Sequence, residues 1–126
     1  MKIYTASRFA NQLRLHPIRE ELTKRGHVVT SRWLDEPEGM GAQEAAEVDL
    51  EDVDAADALV LWPDIPNPRP SSFGGLFIEF GYALAKGKYL YVVDDTCNSI
   101  FLELPQVHKF SNWELFYTYL SQRAHV

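Results

Sequence analysis

The chain has 126 residues, of which 46% are hydrophobic and 24% charged, and it carries a net charge of −6. That length fits one domain over residues 1–126, and folding it buries roughly two-thirds of the unfolded surface, enough for a stable core. The acidic balance argues against polymeric nucleic acid or an anionic membrane as partner, since both need a basic face, but it leaves room for a small anionic ligand met by one or two cations. Cys97 is the only cysteine, so an internal disulfide or a Cys-rich zinc site cannot form and a reducing cytoplasm is expected. The chain opens on a strand-like segment without an apolar signal region, and no run of about 18 apolar residues is present to span a membrane. His16, His27, His108 and His125 lie scattered, so no metal site is expected.

Along the chain, Lys2 to Ala6 reads as a first strand, rich in Ile, Tyr and Thr. A helix follows up to Arg25: Leu15, Ile18 and Leu22 keep helical spacing, Pro17 suits its first turn and Gly26 is a natural stop. His27 to Ser31 is a second strand. A loop over 35–42 holds Pro37, Gly39 and Gly41, and Gln43 to Ala56 is a second helix. The apolar run Ala58 to Trp62 predicts a strand buried on both faces. After a proline-rich loop from Pro63 to Gly75, Leu76 to Lys86 is a third helix ending at Gly87, and Tyr89 to Val93 is another buried strand. Ser111 and Glu114 make a capping-box pattern that opens a last helix with Trp113, Phe116, Tyr117 and Leu120 on one side. Strands alternate with helices. The expected architecture is therefore a three-layer α/β/α domain on a mostly parallel, flavodoxin-like or Rossmann-like sheet. Ligands of such sheets bind beyond the C-terminal ends of the strands, which directs attention to loops 6–11, 31–42, 63–75 and 94–100.

One stretch stands out, Gly74-Gly75-Leu76-Phe77-Ile78-Glu79-Phe80-Gly81-Tyr82-Ala83-Leu84-Ala85, because Glu79 is its only charge. A carboxylate near the start of an apolar helix gains from the helix dipole, which favours the ionised form a nucleophile requires. The glycine pair lets a ligand approach the backbone closely. The helix alone leaves a second reading open, a partly exposed glutamate with no role. In the acidic run from Glu47 to Asp57 nothing in the spacing singles out Asp49 from a solvated face. Ser7 and Arg8, in the first strand-helix loop, suit an anion such as a 5′-phosphate, and Trp33 offers a face for stacking on a nucleobase. A surface arginine and a core tryptophan are the alternatives.

The order Ile3-Tyr4-Thr5-Ala6-Ser7-Arg8, then Asp49-Leu50 leading to Ala56-Asp57, then Glu79-Phe80-Gly81-Tyr82-Ala83-Leu84-Ala85-Lys86-Gly87-Lys88 resembles the nucleoside 2-deoxyribosyltransferase family and its relatives, the nucleoside 5′-monophosphate N-glycosidases. The resemblance runs from Lys2 to about Phe110, and its specific part is the Glu-x-Gly-Tyr-Ala-Leu-x-x-Gly-Lys segment. It implies Glu79 as the nucleophile on the anomeric carbon and Asp49 as a second catalytic residue, contacting base or sugar. It implies a substrate site drawn from Tyr4, Ala6, Ser7, Arg8, Trp33, Ser72, Gly74, Gly75, Tyr82 and Asn98, with no cofactor. The substrate is a small nucleoside or nucleotide. The resemblance also implies a homodimer or higher homo-oligomer, with Asn98 or Ser99 completing a neighbour's site. There is one departure: transferases of the family often carry an aspartate six residues before the nucleophile, where this chain has Phe73, preceded by Ser71 and Ser72. The monophosphate hydrolases use a serine near this point to hold phosphate, so the departure raises the hydrolase reading. Asp64, earlier in the same loop, is a candidate to replace the missing acid. A non-catalytic nucleotide-binding domain on the same fold is the alternative of another class.

Overall fold

A computed structural model describes residues 1–37, 39–66 and 74–123. A five-stranded, all-parallel sheet in the order β2-β1-β3-β4-β5 organises the chain. The strands are β1 (Lys2–Ser7), β2 (Val28–Val29), β3 (Ala58–Trp62), β4 (Tyr89–Val93) and β5 (Val107–Phe110). The helices are α1 (His16–Lys24), α2 (Ala42–Ala55), α3 (Gly75–Ala85) and α4 (Trp113–Arg123). Side chains alternate across each strand, so each face of the sheet builds its own core. Tyr4, Ala6, Leu59, Leu61, Leu90 and Val92 face α2 and α3, joined by Val53, Leu76, Phe80 and Ala83. Ile3, Ala58, Val60, Tyr91 and Val93 face α1 and α4, joined by Leu22, Phe116, Tyr117 and Leu120. These are the three layers expected, with the flavodoxin-like strand order.

Strand β3 is buried from end to end, and β4 is buried from Leu90 to Val93 with Tyr89 exposed at its start, much as their apolar runs predict. Both predicted glycine stops hold. Gly26 and Gly87 have φ of +92° and +71°. Each closes a Schellman motif: His27 N–H donates to Leu22 O, and Lys88 N–H to Ala83 O, both at 3.0 Å.

The first helix opens at His16 with Pro17 in its first turn, as expected, and two 3-10 turns, Phe9–Asn11 and Leu13–Leu15, precede it. Three expectations differ from the structure. The second strand shrinks to two residues, because Ser31 Oγ takes the Thr5 N–H at 2.7 Å and so replaces a ladder bond with a side-chain one. The last helix is capped by Asn112, whose Oδ1 accepts from Leu115 N–H at 2.9 Å, and not by Ser111. Strand β5 has no counterpart among the expected elements. Val107-His108-Lys109-Phe110 is short and half polar because it lies at the sheet edge, with His108 and Lys109 exposed.

Candidate active site

The strand order reverses between β1 and β3, the two neighbours from which the chain winds outward on either side. A cavity of about 390 Å³ opens there, beyond the C-terminal ends of these strands. Ser7, Arg8, Phe9 and Ala10 enter it from the loop after β1, and Trp33 and Glu36 from the turn after β2. Asp49 projects from α2, while Gly74, Gly75, Leu76 and Glu79 come from the start of α3.

Glu79 is the fifth residue of α3, one turn past the orphan N–H groups, so the helix dipole acts on it weakly. Its ionisation is set by its neighbours instead. Burial pushes the carboxyl up to about 8, against an ordinary value of 4.5. A hydrogen bond from Tyr4 opposes this, and the charge and carboxyl of Asp49 reinforce it. The expectation of a dipole-ionised glutamate is thereby corrected. What favours the ionised form is the Tyr4 hydroxyl, which donates to Glu79 Oε2 at 2.6 Å. Tyr4 is fully buried in the sheet, and burial together with the Glu79 charge keeps its own hydroxyl protonated far above neutrality. Asp49 is also pushed up, by burial first and then by Glu36 and Asp52. Its Oδ1 is buried and no conventional donor among the described residues reaches it. The Glu79 carboxyl lines the same cavity, and the Asp49 charge adds to the push on it. Two carboxyls facing one cavity disfavour each other's ionisation, so both are pushed above the ordinary carboxylate range.

This has a consequence for stability. The folded state binds the Glu79 proton more tightly than the unfolded chain between pH 4.5 and about 8. The stability contributed by this group is fully present below the unfolded value and is lost as pH rises through the folded one. Glu79→Gln, which never ionises, should therefore melt above the wild type at pH 9, by about 4 °C for each ~1 kcal/mol gained, and show no such gain at pH 4. Calorimetry at the two pH values measures this; an equal difference at both would show that the carboxyl is not burdened by its burial.

The other residues expected at the site fall into three groups. Arg8, Trp33, Gly74 and Gly75 line the cavity with Ser7. The Ser7 hydroxyl is committed, however, donating to Trp62 O at 2.7 Å and accepting from Asn11 Nδ2 at 2.9 Å. It is not a free donor for a phosphate. Trp33 is both a core residue and part of the cavity wall. It is 5% exposed and donates from Nε1 to Thr5 O at 2.8 Å, yet its ring borders the cavity, 6.2 Å from the ring of Phe9. Neither Gly74 nor Gly75 has a positive φ, and a Cβ at either position would meet no described atom within 4 Å. What the pair supplies is therefore an open approach to the backbone from the cavity.

Tyr4 and Ala6 do not border the cavity. Both are fully buried, Tyr4 as the support of Glu79 and Ala6 as core beneath the loop. Tyr82 is also outside it, because the residue lies three positions past Glu79 and its hydroxyl turns to Asp54 of α2. Asn98 lies in the loop after β4 with φ +52°, its N–H on Asp95 Oδ1 at 3.3 Å, and it does not reach the cavity within one chain. Ser72 and its neighbour Ser71 lie outside the described residues. Asp64, the substitute acid considered from sequence, is held by Arg14 at 2.7 Å and Arg8 at 3.5 Å.

Phe9, Ala10, Glu36 and Leu76 line the cavity and are additions to the expected set. Phe9 has a sequence signal, an aromatic directly after Arg8 in a loop already marked. Glu36 has none, since it is one acid among several in a Pro/Gly loop. Gln12 fixes that loop by donating to the carbonyls of Trp33 and Glu36 at 2.8 and 3.0 Å.

No protein-family model matches the chain, and no curated protein matches it in sequence. Solved structures do. The CMP N-glycosidase BcmB of Clostridium botulinum superposes with a TM-score of 0.65 at 16% identity, over 98% of this chain and 99% of that one. A 2-deoxyribosyltransferase of Bacillus psychrosaccharolyticus superposes with a TM-score of 0.68 at 22% identity, over 92% of this chain and 90% of the other. At these identities the likeness establishes the fold, which is the one the sequence resemblance implies.

Proposed function

We propose that this chain cleaves the N-glycosidic bond of small nucleosides or nucleotides through a covalent glycosyl-Glu79 intermediate, and passes the sugar to a second base. The carrying observation is the Tyr4–Glu79–Asp49 cluster at the cavity wall. Both structural neighbours act on compounds of this class by name, which supports the reading. In the reactive form Asp49 carries a proton and Glu79 is ionised, accepting from Tyr4. Glu79 attacks the anomeric carbon as the C–N bond breaks through an oxocarbenium-like transition state, and Asp49 delivers its proton to the departing base. The acceptor base then returns that proton to Asp49 and displaces Glu79, so two inversions give net retention. With water as acceptor the same site is a hydrolase. Neither route transfers electrons, and the proposal includes no cofactor. A reducing, cytoplasmic setting suits the free thiol of Cys97.

The test is incubation with a panel of deoxynucleosides, ribonucleosides and their 5′-monophosphates, with and without a second base. Base exchange supports the transferase; release of free base at the same rate with or without acceptor supports the hydrolase. Release of no base from any of them would leave a binding domain.

One observation favours the monophosphate hydrolase as the second reading. Arg8 lines the cavity with its side chain 17% exposed, and its Nε is pinned to Asp64 O at 2.8 Å. With Nη2 also 3.5 Å from Asp64 Oδ2, the guanidinium is held at the cavity, oriented for one charge-assisted hydrogen bond to a phosphate. Arg8→Ala is expected to raise KM for a 5′-monophosphate roughly 10- to 100-fold, the value of one charge-assisted hydrogen bond, and to leave KM for the nucleoside unchanged. Equal effects on both substrates would remove the phosphate role.

The working unit in this reading is a homo-oligomer. Ile78, Ile100 and Phe101 are 60–77% exposed, and an apolar groove of about 310 Å³ between α3 and the turn after β4 adjoins them. A second copy covering this surface brings Asn98 or Ser99 of one chain towards the site of the next. Light scattering at micromolar concentration should give at least a dimer, and mixing Glu79→Ala with Asn98→Ala should recover activity that neither has alone. A fully active monomer contradicts the shared site.

A further inference from the structure

Tyr82, Lys86 and Lys88, three polar side chains of the Gly81–Lys88 segment, lie outside the cavity and converge on one residue of the neighbouring helix. The Tyr82 hydroxyl donates to Asp54, 2.9 Å from each carboxylate oxygen. Lys86 Nζ stands 4.0 Å from the same carboxylate and 5.3 Å from the centre of the Tyr82 ring. Lys88 Nζ donates to the Asp54 backbone carbonyl at 3.0 Å. Asp54 is in the last turn of α2, where carbonyls lack intrahelical partners and the helix dipole welcomes a cation.

The same two helices carry the reacting carboxyls. Glu79 precedes Tyr82 by one turn on α3, and Asp49 precedes Asp54 on α2. Behind them Val53 and Ala83 pack into one apolar cluster. Side chains so small and smooth fix how far apart the helices are, but not their slide or rotation. Directional bonds do that. The Asp54 side chain is 50% exposed, so its ion pair contributes little to stability, which leaves geometry as what the convergence supplies. We infer that Tyr82 and Asp54, with Lys88 on the α2 carbonyl, are a positioning clamp that locks α3 against α2 in the register that presents Glu79 and Asp49 to one cavity. The inference rests on the reading of those carboxyls as the reacting pair.

The test compares the full chain with Tyr82→Phe, Asp54→Ala, the double variant and Asp54→Asn. Two readouts are taken: the titration of the Glu79 carboxyl carbon by NMR, and steady-state base release. Tyr82→Phe removes a hydroxyl and no charge. As the helices shift and water enters, the Glu79 midpoint should fall by about one pH unit, and kcat about tenfold at unchanged KM. Asp54→Ala should do the same, the double variant no more than either single one, and Asp54→Asn, which keeps an acceptor for the hydroxyl, should stay near the wild type. A Tyr82→Phe protein with the wild-type midpoint and kcat overturns the clamp, as does additivity of the two single changes. If the midpoint moves as expected but no variant, wild type included, releases base, the clamp stands and the reaction assigned to the site fails.

Discussion

Glu79→Ala should release base at least about 10³-fold more slowly than the wild type, with the fold intact, because the substitution removes the only atom proposed to bond to the sugar. The loss should fall on kcat. The cavity walls that would bind substrate, Phe9, Trp33, Gly74 and Gly75, are untouched by the change. Glu79→Gln should be equally inactive although it keeps the shape of the side chain and an acceptor for Tyr4, which separates the loss of a nucleophile from the loss of packing. Azide or formate added to the alanine variant should restore some turnover from the vacated side of the sugar, giving a product of inverted configuration. Near-normal rates in either variant, followed by chromatography of the free base, would end the proposal.

The second large effect is expected at Asp49. The proposed mechanism needs one proton on the Glu79–Asp49 pair, which predicts a bell-shaped rate profile for the wild type. The acid limb reports loss of the first proton, which frees Glu79 to attack. The alkaline limb, near the value of about 8 to which Glu79 is pushed, reports loss of the last one, which leaves no acid for the base. Asp49→Asn removes both the neighbouring charge and the proton donor. Glu79 should then titrate lower, the alkaline limb should vanish, and kcat for a purine or pyrimidine leaving group should fall roughly 10²- to 10⁴-fold. A 2-deoxyriboside with an activated aryl leaving group needs no proton and should lose far less. Equal losses on the two substrates would show that Asp49 does not protonate the base.

The architecture is legible in the sequence because the central strands are apolar on both faces and the helix stops are glycines at positive φ. Edge elements are not. β2 surrenders its ladder to the Ser31 side chain, and β5 has the half-polar composition of a loop. At the site, Glu79 can be found because a lone charge in an apolar helix is conspicuous. Its ionisation cannot, because that depends on Tyr4 and Asp49, 75 and 30 residues away in the chain, and only the sheet brings them together. Ser7 shows the converse. The residue type suits an anion, but the three-dimensional partners Trp62 and Asn11 take its hydroxyl. Tyr82 belongs to the motif that carries the resemblance, yet it serves α2 and not the cavity, a distinction that residue type and spacing do not encode.

The central claim is a covalent bond between sugar and Glu79, and mass spectrometry of the acid-quenched protein reads it most directly. Incubation with a 2-deoxy-2-fluoro nucleoside or its 5′-monophosphate, whose electron-poor sugar slows the second displacement, should add the mass of one glycosyl unit to the protein. Fragmentation should place that mass on Glu79, and the Glu79→Gln protein should gain none. Rapid release of base by the wild type with no adduct at any quench time, together with a product of inverted configuration, would contradict the account.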